Sequence, residues 1–495
     1  MVKYIETEVC IVGSGFCGFE AFKNLQEKGV EALVIEGGNK KTPASENEQS
    51  YYKMPLASKY CATIYNRDIK SDLDLSFRDR KFTLGGSSEC WGGWIKPLEE
   101  TTYKNRYLSS PQSSWGSVEL SPFDENCLKS LNSPILNFDP YIIAQTLGYK
   151  LPPLPEGLYY STYAWANSPL RLKEFWKNLA VSQPSELGRN GKYILTGFRL
   201  FSCELSSSSE CISSLIFKGA NGQILKVKAD NFIIAMGGIE NTKFSKYLLN
   251  LRAPLNGKSS SNLGNFQEHP HLYNILTCKK GKQKIPPIIG NRVHVKANGR
   301  EIKNDGYINI SITAWDGEGS PKACFMINDH NNKIEGIKNV IRRFLGKPQT
   351  SGQFTVTARC EQRPIKESKI NFLTNSKLNL DWKVDARDFK LYSDYLKRYT
   401  SFMISKNYID DPKLAWEALS GIAVPTVATG GAHHMGTVAY SADGRGLVDE
   451  NFKLLGFENI YIVGTSSFPI SGFENPTVAA MATSHKATQA ILKIG

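Results

Sequence analysis

Residues 4–38 read YIETEVCIVGSGFCGFEAFKNLQEKGVEALVIEGG, and they decide the fold of the chain. The apolar run 9–12 predicts a buried strand, and glycines follow it in the pattern G-x-G-x-x-G. Apolar residues then recur at helical spacing, and a second apolar strand, 32–35, ends at Glu36. A strand, a glycine turn, a helix and a second strand in this order predict a dinucleotide-binding βαβ unit.

Each glycine of the turn has a mechanical role. Gly13 permits the tight turn, Gly15 lets the backbone approach a pyrophosphate, and Gly18 lets helix and strand pack closely. The helix N-terminus attracts the anion, and an acid at the end of the second strand suits a ribose diol. We expect cofactor contacts from Gly13, Gly15, Phe16, Cys17, Gly18 and Glu36. The pattern alone does not choose between NAD and FAD, and a glycine turn without function is the alternative.

The bulk composition favours a globular protein with two domains. The chain has 495 residues, of which 41% are hydrophobic and 22% are charged. Its longest apolar runs, such as 232–236, are far shorter than the ~20 residues of a membrane helix. The N-terminus has no secretory pattern, because the first strand begins within it. We therefore expect a cytoplasmic protein without a transmembrane segment.

The net charge and the spacing of the cysteines argue against several classes of function. The formal net charge is +13, which indicates either a solvated basic surface or an anionic substrate or membrane surface nearby. No Lys/Arg block is interleaved with aromatic residues, which argues against nucleic acid binding. Ten cysteines are scattered without a C-x-x-C pair, so neither a metal site nor a disulfide scaffold is predicted.

A second glycine-rich stretch, FTLGGSSECWGGWIKPLEE, covers residues 82–100. Four glycines and two serines within it indicate backbone that lies close against another group. We interpret it as a loop under the cofactor, in which backbone amides and hydroxyls face phosphate or flavin. The contributing residues are Gly85, Gly86, Ser87 and Ser88. An irregular surface loop is the alternative.

The middle of the chain has strong β character. Residues 193–237 predict a meander that returns to the parallel sheet, with a hairpin turn at the Asn-Gly pair 221–222. Residues 272–420 predict strands at 307–313, 353–359 and 369–373, with helices near 332–345 and 386–405. We interpret this second region as an antiparallel sheet with helices, which forms a separate domain.

The C-terminal region carries the candidate base. Residues 428–441 read ATGGAHHMGTVAYS, and neighbouring side chains of an extended segment face opposite ways. One of His433 and His434 therefore faces the reaction, although a structural histidine pair is the alternative. Asn475 and Pro476 predict a helix start with Asn at the N-cap and Pro at the first position. Such a helix end would stabilise a reduced flavin.

These blocks together resemble the glucose–methanol–choline (GMC) oxidoreductase family of flavoproteins. The matching pieces are GSGFCG with Glu36, GGSSECWGGW, AMGGIEN with NLGNFQEHP, HHMGT and FENPTVAAM. The nearest similarity is to the pyranose oxidase-like branch and its bacterial sugar-oxidising relatives. The resemblance implies an α/β, two-domain flavoprotein. A Rossmann-type FAD-binding domain would comprise 1–100, 190–270 and 425–495, and a substrate domain with an antiparallel sheet 101–189 and 271–424.

The resemblance also assigns roles to residues. His433 would be the catalytic base, with Gly436 and Thr437 completing its motif, and Asn475 would be its partner. Further cofactor contacts are implied for Gly85, Gly86, Ser87, Cys90, Ala235, Gly237, Gly464, Pro476 and Thr477. Cys90 stands where pyranose oxidases have a histidine bonded to the flavin. We therefore expect non-covalent FAD, with a cysteinyl bond as the alternative.

The resemblance implies FAD-dependent oxidation of a CH–OH group, with a sugar or glycoside as substrate. His433 would remove the hydroxyl proton while hydride moves to flavin N5. The acceptor is oxygen or another electron carrier, and the basic balance favours an anionic substrate. Three alternatives compete: a non-redox, lyase-like member with structural FAD, an NAD-dependent dehydrogenase, and a non-catalytic binding protein.

Overall fold

The chain begins with the βαβ unit that its sequence predicts. In the computed structural model, residues 9–12 of the first strand are buried, as are all five residues of the second strand. The helix between them buries Phe19, Phe22 and Leu25 against the sheet. The structure describes residues 2–38, 59–64, 67–74, 81–104, 114–146, 148, 150–168, 170–188, 193–219, 221–256, 263–279, 293–303, 306–315, 353–372, 378–407, 428–431, 433–441 and 444–494.

The described residues form the following strands and helices. The strands are β1 Val2–Val12, β2 Ala32–Glu36, β3 Lys59–Ile64, β4 Arg67–Asp74, β5 Trp94–Ile95, β6 Leu158–Trp165, β7 Ala180–Val181, β8 Ile194–Thr196, β9 Phe198–Leu205, β10 Ile212–Gly219, β11 Ile224–Ile234, β12 Pro270–Lys279, β13 Val293–Lys303, β14 Gly306–Trp315, β15 Gln353–Cys360, β16 Lys369–Phe372, β17 Leu378–Val384, β18 Ala428–Gly430 and β19 Ile460–Ile462. The helices are α1 Phe16–Glu27, α2 Glu100–Lys104, α3 Asp124–Ser130, α4 Pro140–Thr146, α5 Leu172–Trp176, α6 Gly238–Asn256, α7 Ala386–Ser405 and α8 Thr477–Ile494.

The first sheet gathers strands from both ends of the chain. Its order is β7-β8-β2-β1-β11-β10-β9, and β19 pairs with the end of β11. The strands β7, β8, β2, β1, β11 and β19 run parallel, whereas β9 and β10 form the predicted antiparallel meander. Val12 pairs with Ile35 on one side and Ile234 on the other. The carboxyl ends of three central strands therefore meet at one edge, where α/β sheets bind their ligands.

A second sheet is wholly antiparallel among the described strands. Its order is β18-β12-β15-β14-β13-β6-β5. A third, smaller sheet has the order β16-β17-β3-β4. The strands predicted at 307–313 and 353–359 are confirmed as parts of β14 and β15, and the helix predicted at 386–405 is α7. The strand predicted at 369–373 is confirmed as β16 over 369–372, and residue 373 lies outside the described residues. The helix predicted near 332–345 lies outside the described residues.

Sheet membership crosses the expected domain boundaries in four places. Within the expected FAD-binding segment 1–100, β3 pairs with β17 and β5 pairs with β6. The short β18 likewise extends the antiparallel sheet through β12, and β7 extends the parallel one through β8. The exact division into domains stays a prediction, whereas the mixed α/β fold with separate parallel and antiparallel sheets is confirmed.

The last helix packs beside the first. His485 Nε2 lies 2.7 Å from Oε1 of the buried Glu20, and Cys17 Sγ lies 3.3 Å from the carbonyl oxygen of Ala480. This packing brings the N-terminus of α8 next to the N-terminus of α1. Within the described part of the chain, no helix is both long and apolar enough to cross a membrane.

Candidate active site

A cavity of about 490 Å³ opens at the carboxyl edge of the parallel sheet and reaches the antiparallel sheet. Most of the residues predicted from sequence border it: Gly13, Gly15, Phe16, Cys17, Glu36, Gly86, Ser87, Cys90, Ala235, Gly237, His433, Gly464, Asn475, Pro476 and Thr477. Gly18 and Gly85 do not border it. The structure thus brings together residues that are more than 450 positions apart in the chain.

The turn after β1 presents bare backbone to this cavity. Gly13 has φ +105°, and a Cβ there would lie 2.5 Å from the carbonyl oxygen of Ala235. A Cβ on Gly18 would lie 1.9 Å from the carbonyl oxygen of Gly13, so Gly18 supports the turn from behind. A Cβ on Gly15 would meet nothing within 4 Å. Helix α1 has no side-chain cap and no acid in its first turn, so its N-terminus suits an anion.

Glu36 is buried at the end of β2 and is 8% exposed. Its Oε2 accepts hydrogen bonds from Ser14 N–H at 3.0 Å and Ser14 Oγ–H at 2.6 Å, and its Oε1 accepts from Gly38 N–H at 2.7 Å. Burial raises the pKa of Glu36, and these hydrogen bonds and the charge of Arg199 oppose the rise. A carboxylate has about four acceptor positions, so capacity remains for a further donor such as a ribose hydroxyl.

The second glycine-rich loop is held against the first turn. Gly85 N–H donates to Ser14 Oγ at 2.9 Å, and Gly85 has φ +88° where a Cβ would lie 2.7 Å from Lys173 N. The hydroxyl of Ser88 is buried and donates to the carbonyl oxygen of Gly85, so Ser88 stabilises the loop and does not border the cavity. Cys90 is exposed at the cavity, with its Sγ 3.3 Å from the carbonyl oxygen of Ser87.

Three histidines and one arginine cluster at the other end of the cavity. His269 lies just before β12, His271 lies within it, and His433 follows β18. Nδ1 of His433 lies 3.0 Å from Nδ1 of His269, and the ring centroids of His271 and His433 are 6.2 Å apart. Arg359 pairs with His271 across the ladder between β12 and β15, and both border the cavity.

Burial keeps these histidines neutral. Desolvation lowers the pKa of His269 to about 4, and it lowers the pKa values of His271 and His433 well below 6.5. The positive charge of Arg359 lowers all three further. Because His433 is uncharged at neutral pH, its imidazole is able to accept a proton.

The buried carboxylate of Glu268 fixes the backbone that carries these rings. Its oxygens accept hydrogen bonds from the backbone N–H groups of Gly431 at 3.0 Å, of His433 at 2.9 and 3.0 Å, and of His269 at 3.2 Å. Charged hydrogen bonds of this kind contribute about 1.5–3 kcal/mol each. Glu268 therefore ties the β18 end to the start of β12, which places His433 beside His269.

His433 and His434 have different surroundings. The ring of His433 meets His269, whereas Nε2 of His434 lies 3.6 Å from Oε1 of Glu268 and its ring lies beside Phe266. His434 is 7% exposed, and both residues border the cavity. The alternation expected of an extended segment therefore does not distinguish the two residues, because both border the cavity. They differ in the groups that their rings contact.

The N-terminus of α8 borders the same cavity. The helix begins at Thr477, one residue later than the sequence predicts, because the carbonyl oxygen of Pro476 accepts the first helical hydrogen bond, from Ala480 N–H. Asn475 still supports the helix start, since its Oδ1 accepts from Thr477 N–H at 3.2 Å and from Thr477 Oγ–H at 2.7 Å. The side-chain amide nitrogen is the atom that Asn475 can offer to a substrate oxygen.

Sequence reasoning missed several residues of this site. His269 and Glu268 lie in the NFQEHP block, which matched a family without receiving a role, and Ser14 lies between two assigned glycines. One signal could have found the histidines: positions 269 and 271 are two apart, so an extended segment carries both side chains on one face. No comparable sequence pattern surrounds Arg359, because the pairing of β15 with β12 is what brings it to the cavity.

Residues 365–484 match the family model described as GMC oxidoreductase. Formate oxidase is similar over the whole chain, with a TM-score of 0.60, 14% identity and 99% of each chain covered. The family match lies in the C-terminal part of the chain. Pyridoxine 4-oxidase from Mesorbium loti aligns with a TM-score of 0.57 and 14% identity, over 98% of this chain and 99% of that one.

A variant of Aspergillus oryzae formate oxidase, described for its effect on FAD modification, has a TM-score of 0.58 and 13% identity over 99% of this chain and 98% of its own. At such identities the likeness shows the fold. No curated protein sequence matches this chain. The comparisons do not confirm the sugar-oxidising branch of the family.

The role of Glu268 can be measured by hydrogen exchange. Glu268→Gln turns one acceptor oxygen into a donor that faces backbone N–H groups, and an unsatisfied buried donor costs about 1–3 kcal/mol. Exchange at the amides of Gly431 and His433 should accelerate about 10- to 100-fold. The exposed Glu367→Gln is the matched control and should change neither amide. Unchanged exchange in Glu268→Gln would contradict this role.

Proposed function

We propose that the chain is an FAD-dependent oxidoreductase that oxidises a CH–OH group. The proposal rests on one observation: the glycine turn before α1 and the neutral imidazole of His433 border the same cavity. The turn suits a dinucleotide, and the imidazole suits removal of a hydroxyl proton. The GMC oxidoreductase match over residues 365–484 supports the same reaction class.

The residues at the sheet edge fit an FAD. The open space above Gly15 and the uncapped N-terminus of α1 suit a pyrophosphate, and Glu36 suits the ribose. Gly86, Ser87, Ala235 and the start of α8 would border the flavin end. When bound, the flavin would supply the hydride acceptor. We propose that the FAD is held non-covalently, with Cys90 in the place of the linking histidine.

The chain's own residues prepare the substrate. Nε2 of His433 would take the hydroxyl proton, and the amide nitrogen of Asn475 would hold the hydroxyl oxygen in position. His271, His433 and Trp94 line this end of the cavity. Water that a bound substrate displaces there would leave its polar contacts in a medium of low dielectric constant, which would strengthen them. The site needs no metal ion for these steps.

For the substrate we propose a sugar or glycoside. The resemblance to the pyranose oxidase-like branch supports a sugar, whereas the names of the structural neighbours give pyridoxine and formate as what those proteins oxidise. Arg359 at the cavity and the net charge of +13 favour a substrate with a negatively charged substituent. The electron acceptor is oxygen or another carrier, and the cytoplasmic location stays a prediction.

Anaerobic spectroscopy tests the proposed reaction. The purified protein should be yellow, and acid precipitation should release its FAD into the supernatant. A panel of sugars, sugar acids and sugar phosphates should include a compound that bleaches the flavin without oxygen. A colourless protein that does not take up FAD would contradict the cofactor. Bound FAD that no alcohol bleaches would contradict the redox reaction and favour the lyase-like alternative.

Replacing each histidine separately tests the base. His433→Ala should slow flavin reduction about 10²–10⁴-fold, the usual loss for a positioned base, with FAD still bound. His434→Ala is the matched control and should slow it much less. Since the pKa of His433 lies well below 6.5, the wild-type rate should stay flat as pH falls from about 8 to about 6.5. Stopped-flow reduction measures all three, and a slow His434→Ala with a normal His433→Ala would reverse the assignment.

A further inference from the structure

His269 makes ring contacts that the proposed reaction does not use. It is 1% exposed, and its Nε2 lies 3.2 Å from the carbonyl oxygen of Ser471. Its Nδ1 lies 3.0 Å from Nδ1 of His433. The two ring planes stand at 79° with centroids 4.9 Å apart, so the rings are not stacked.

The chemistry of the partners fixes which atom carries each proton. The Ser471 carbonyl oxygen can only accept, so Nε2 of His269 donates to it. Because burial lowers the pKa of His269 to about 4, its ring is neutral and holds no second proton. Nδ1 of His269 is therefore an acceptor, and Nδ1 of His433 is the donor that faces it. A neutral His433 then has its lone pair on Nε2.

We propose that His269 is a positioning residue that holds His433 in the Nδ1–H tautomer and so keeps Nε2 free to take the substrate proton. The proposal rests on the proposed function of His433 as base. It assigns a role to the NFQEHP segment, whose histidine borders no part of the cavity itself.

The surroundings of the two rings support this direction of the hydrogen bond. A Cβ on Gly431 would lie 3.1 Å from Nδ1 of His433, so this ring edge faces protein backbone. The opposite ring edge, which carries Nε2, is the one left for the cavity that His433 borders. Ser471 is itself fixed, because its N–H donates to Oε1 of the buried Gln267 at 2.7 Å.

Removing the acceptor atom Nδ1 of His269 would change which nitrogen of His433 carries the proton. His269 does not border the cavity, so the change would leave the contacts of the substrate in place. Without a partner for Nδ1–H, part of the His433 population would carry its proton on Nε2, and the ring could also rotate. A base in the wrong tautomer cannot accept the hydroxyl proton. A misplaced catalytic group costs on the order of 10²-fold in rate.

Two variants of His269 separate the hydrogen bond from packing. His269→Asn places an amide oxygen at the position of Nδ1, whereas His269→Leu places a methyl group there, and both lose the bond to Ser471. His269→Leu should slow flavin reduction about 10- to 100-fold, with little change in the substrate concentration for half-maximal rate. His269→Asn should restore most of the rate. Equal rates in the two variants would overturn the proposal.

Nitrogen NMR of the ring gives a readout that does not depend on activity. With ¹⁵N-labelled histidine in the holo-protein, the signal of His433 is identified by its loss in His433→Ala, among the seven histidines of the chain. The wild type should show a protonated Nδ1 and an unprotonated Nε2, as should His269→Asn. His269→Leu should shift the population toward protonated Nε2.

The two readouts separate this inference from the proposed function. A wild-type His433 with its proton on Nε2, or with both nitrogens protonated, would overturn the tautomer assignment whatever the enzyme oxidises. If the expected tautomer is present but His433→Ala reduces flavin at the normal rate, the role of His433 as base fails, and with it the positioning role of His269.

Discussion

The hydrogen bonds of Ser14 hold three other segments of the chain against the end of β1. Its backbone N–H and hydroxyl donate to Glu36 at the end of β2, and its hydroxyl accepts from Gly85 N–H of the second glycine loop. Its carbonyl oxygen accepts from the indole N–H of Trp176 on α5 at 2.8 Å. Each buried hydrogen bond contributes about 1 kcal/mol, and together they fix one side of the cavity. Because the hydrogen bonds of Ser14 connect these segments, the turn does not need side chains at the neighbouring glycines to hold it in place.

The opposite side of the cavity depends on buried charge. Glu268 ties three backbone N–H groups of the histidine-bearing segments, and the rings themselves stay neutral because burial lowers their pKa values. The oxygens of one buried acid thus position rings that remain uncharged. One cationic group, Arg359, faces the same end and disfavours protonation of the rings. A neutral base beside a fixed cation suits a substrate that loses a proton and carries negative charge.

Local sequence patterns predicted the elements of this fold whose formation depends on residues close together in the sequence. The turn at Gly13 and Gly15 and the strands on either side follow from hydrophobic period and glycine spacing. The start of α8 follows, to within one residue, from the Asn475-Pro476 pair. Strands β3 and β4 were missed by the sequence analysis, because β3 pairs with β17, which lies 320 positions further along the chain (Cys61 with Asp381), and β4 joins that sheet through β3. The site shows the same division: Glu36 is the last residue of a predicted strand, whereas His269 acquires a partner only when β12 and β18 pair.

The most direct test of the account is an FAD titration of apo-protein with glycine or valine at position 15. A Cβ at Gly15 meets nothing within 4 Å and its φ is −69°, so Gly15→Val should fold, with apo-protein stability within about 1 kcal/mol of the wild type. The added methyl groups would occupy the space of the pyrophosphate. The account predicts saturable quenching of flavin fluorescence by the wild type and none by Gly15→Val. FAD binding of equal affinity by both proteins would contradict it.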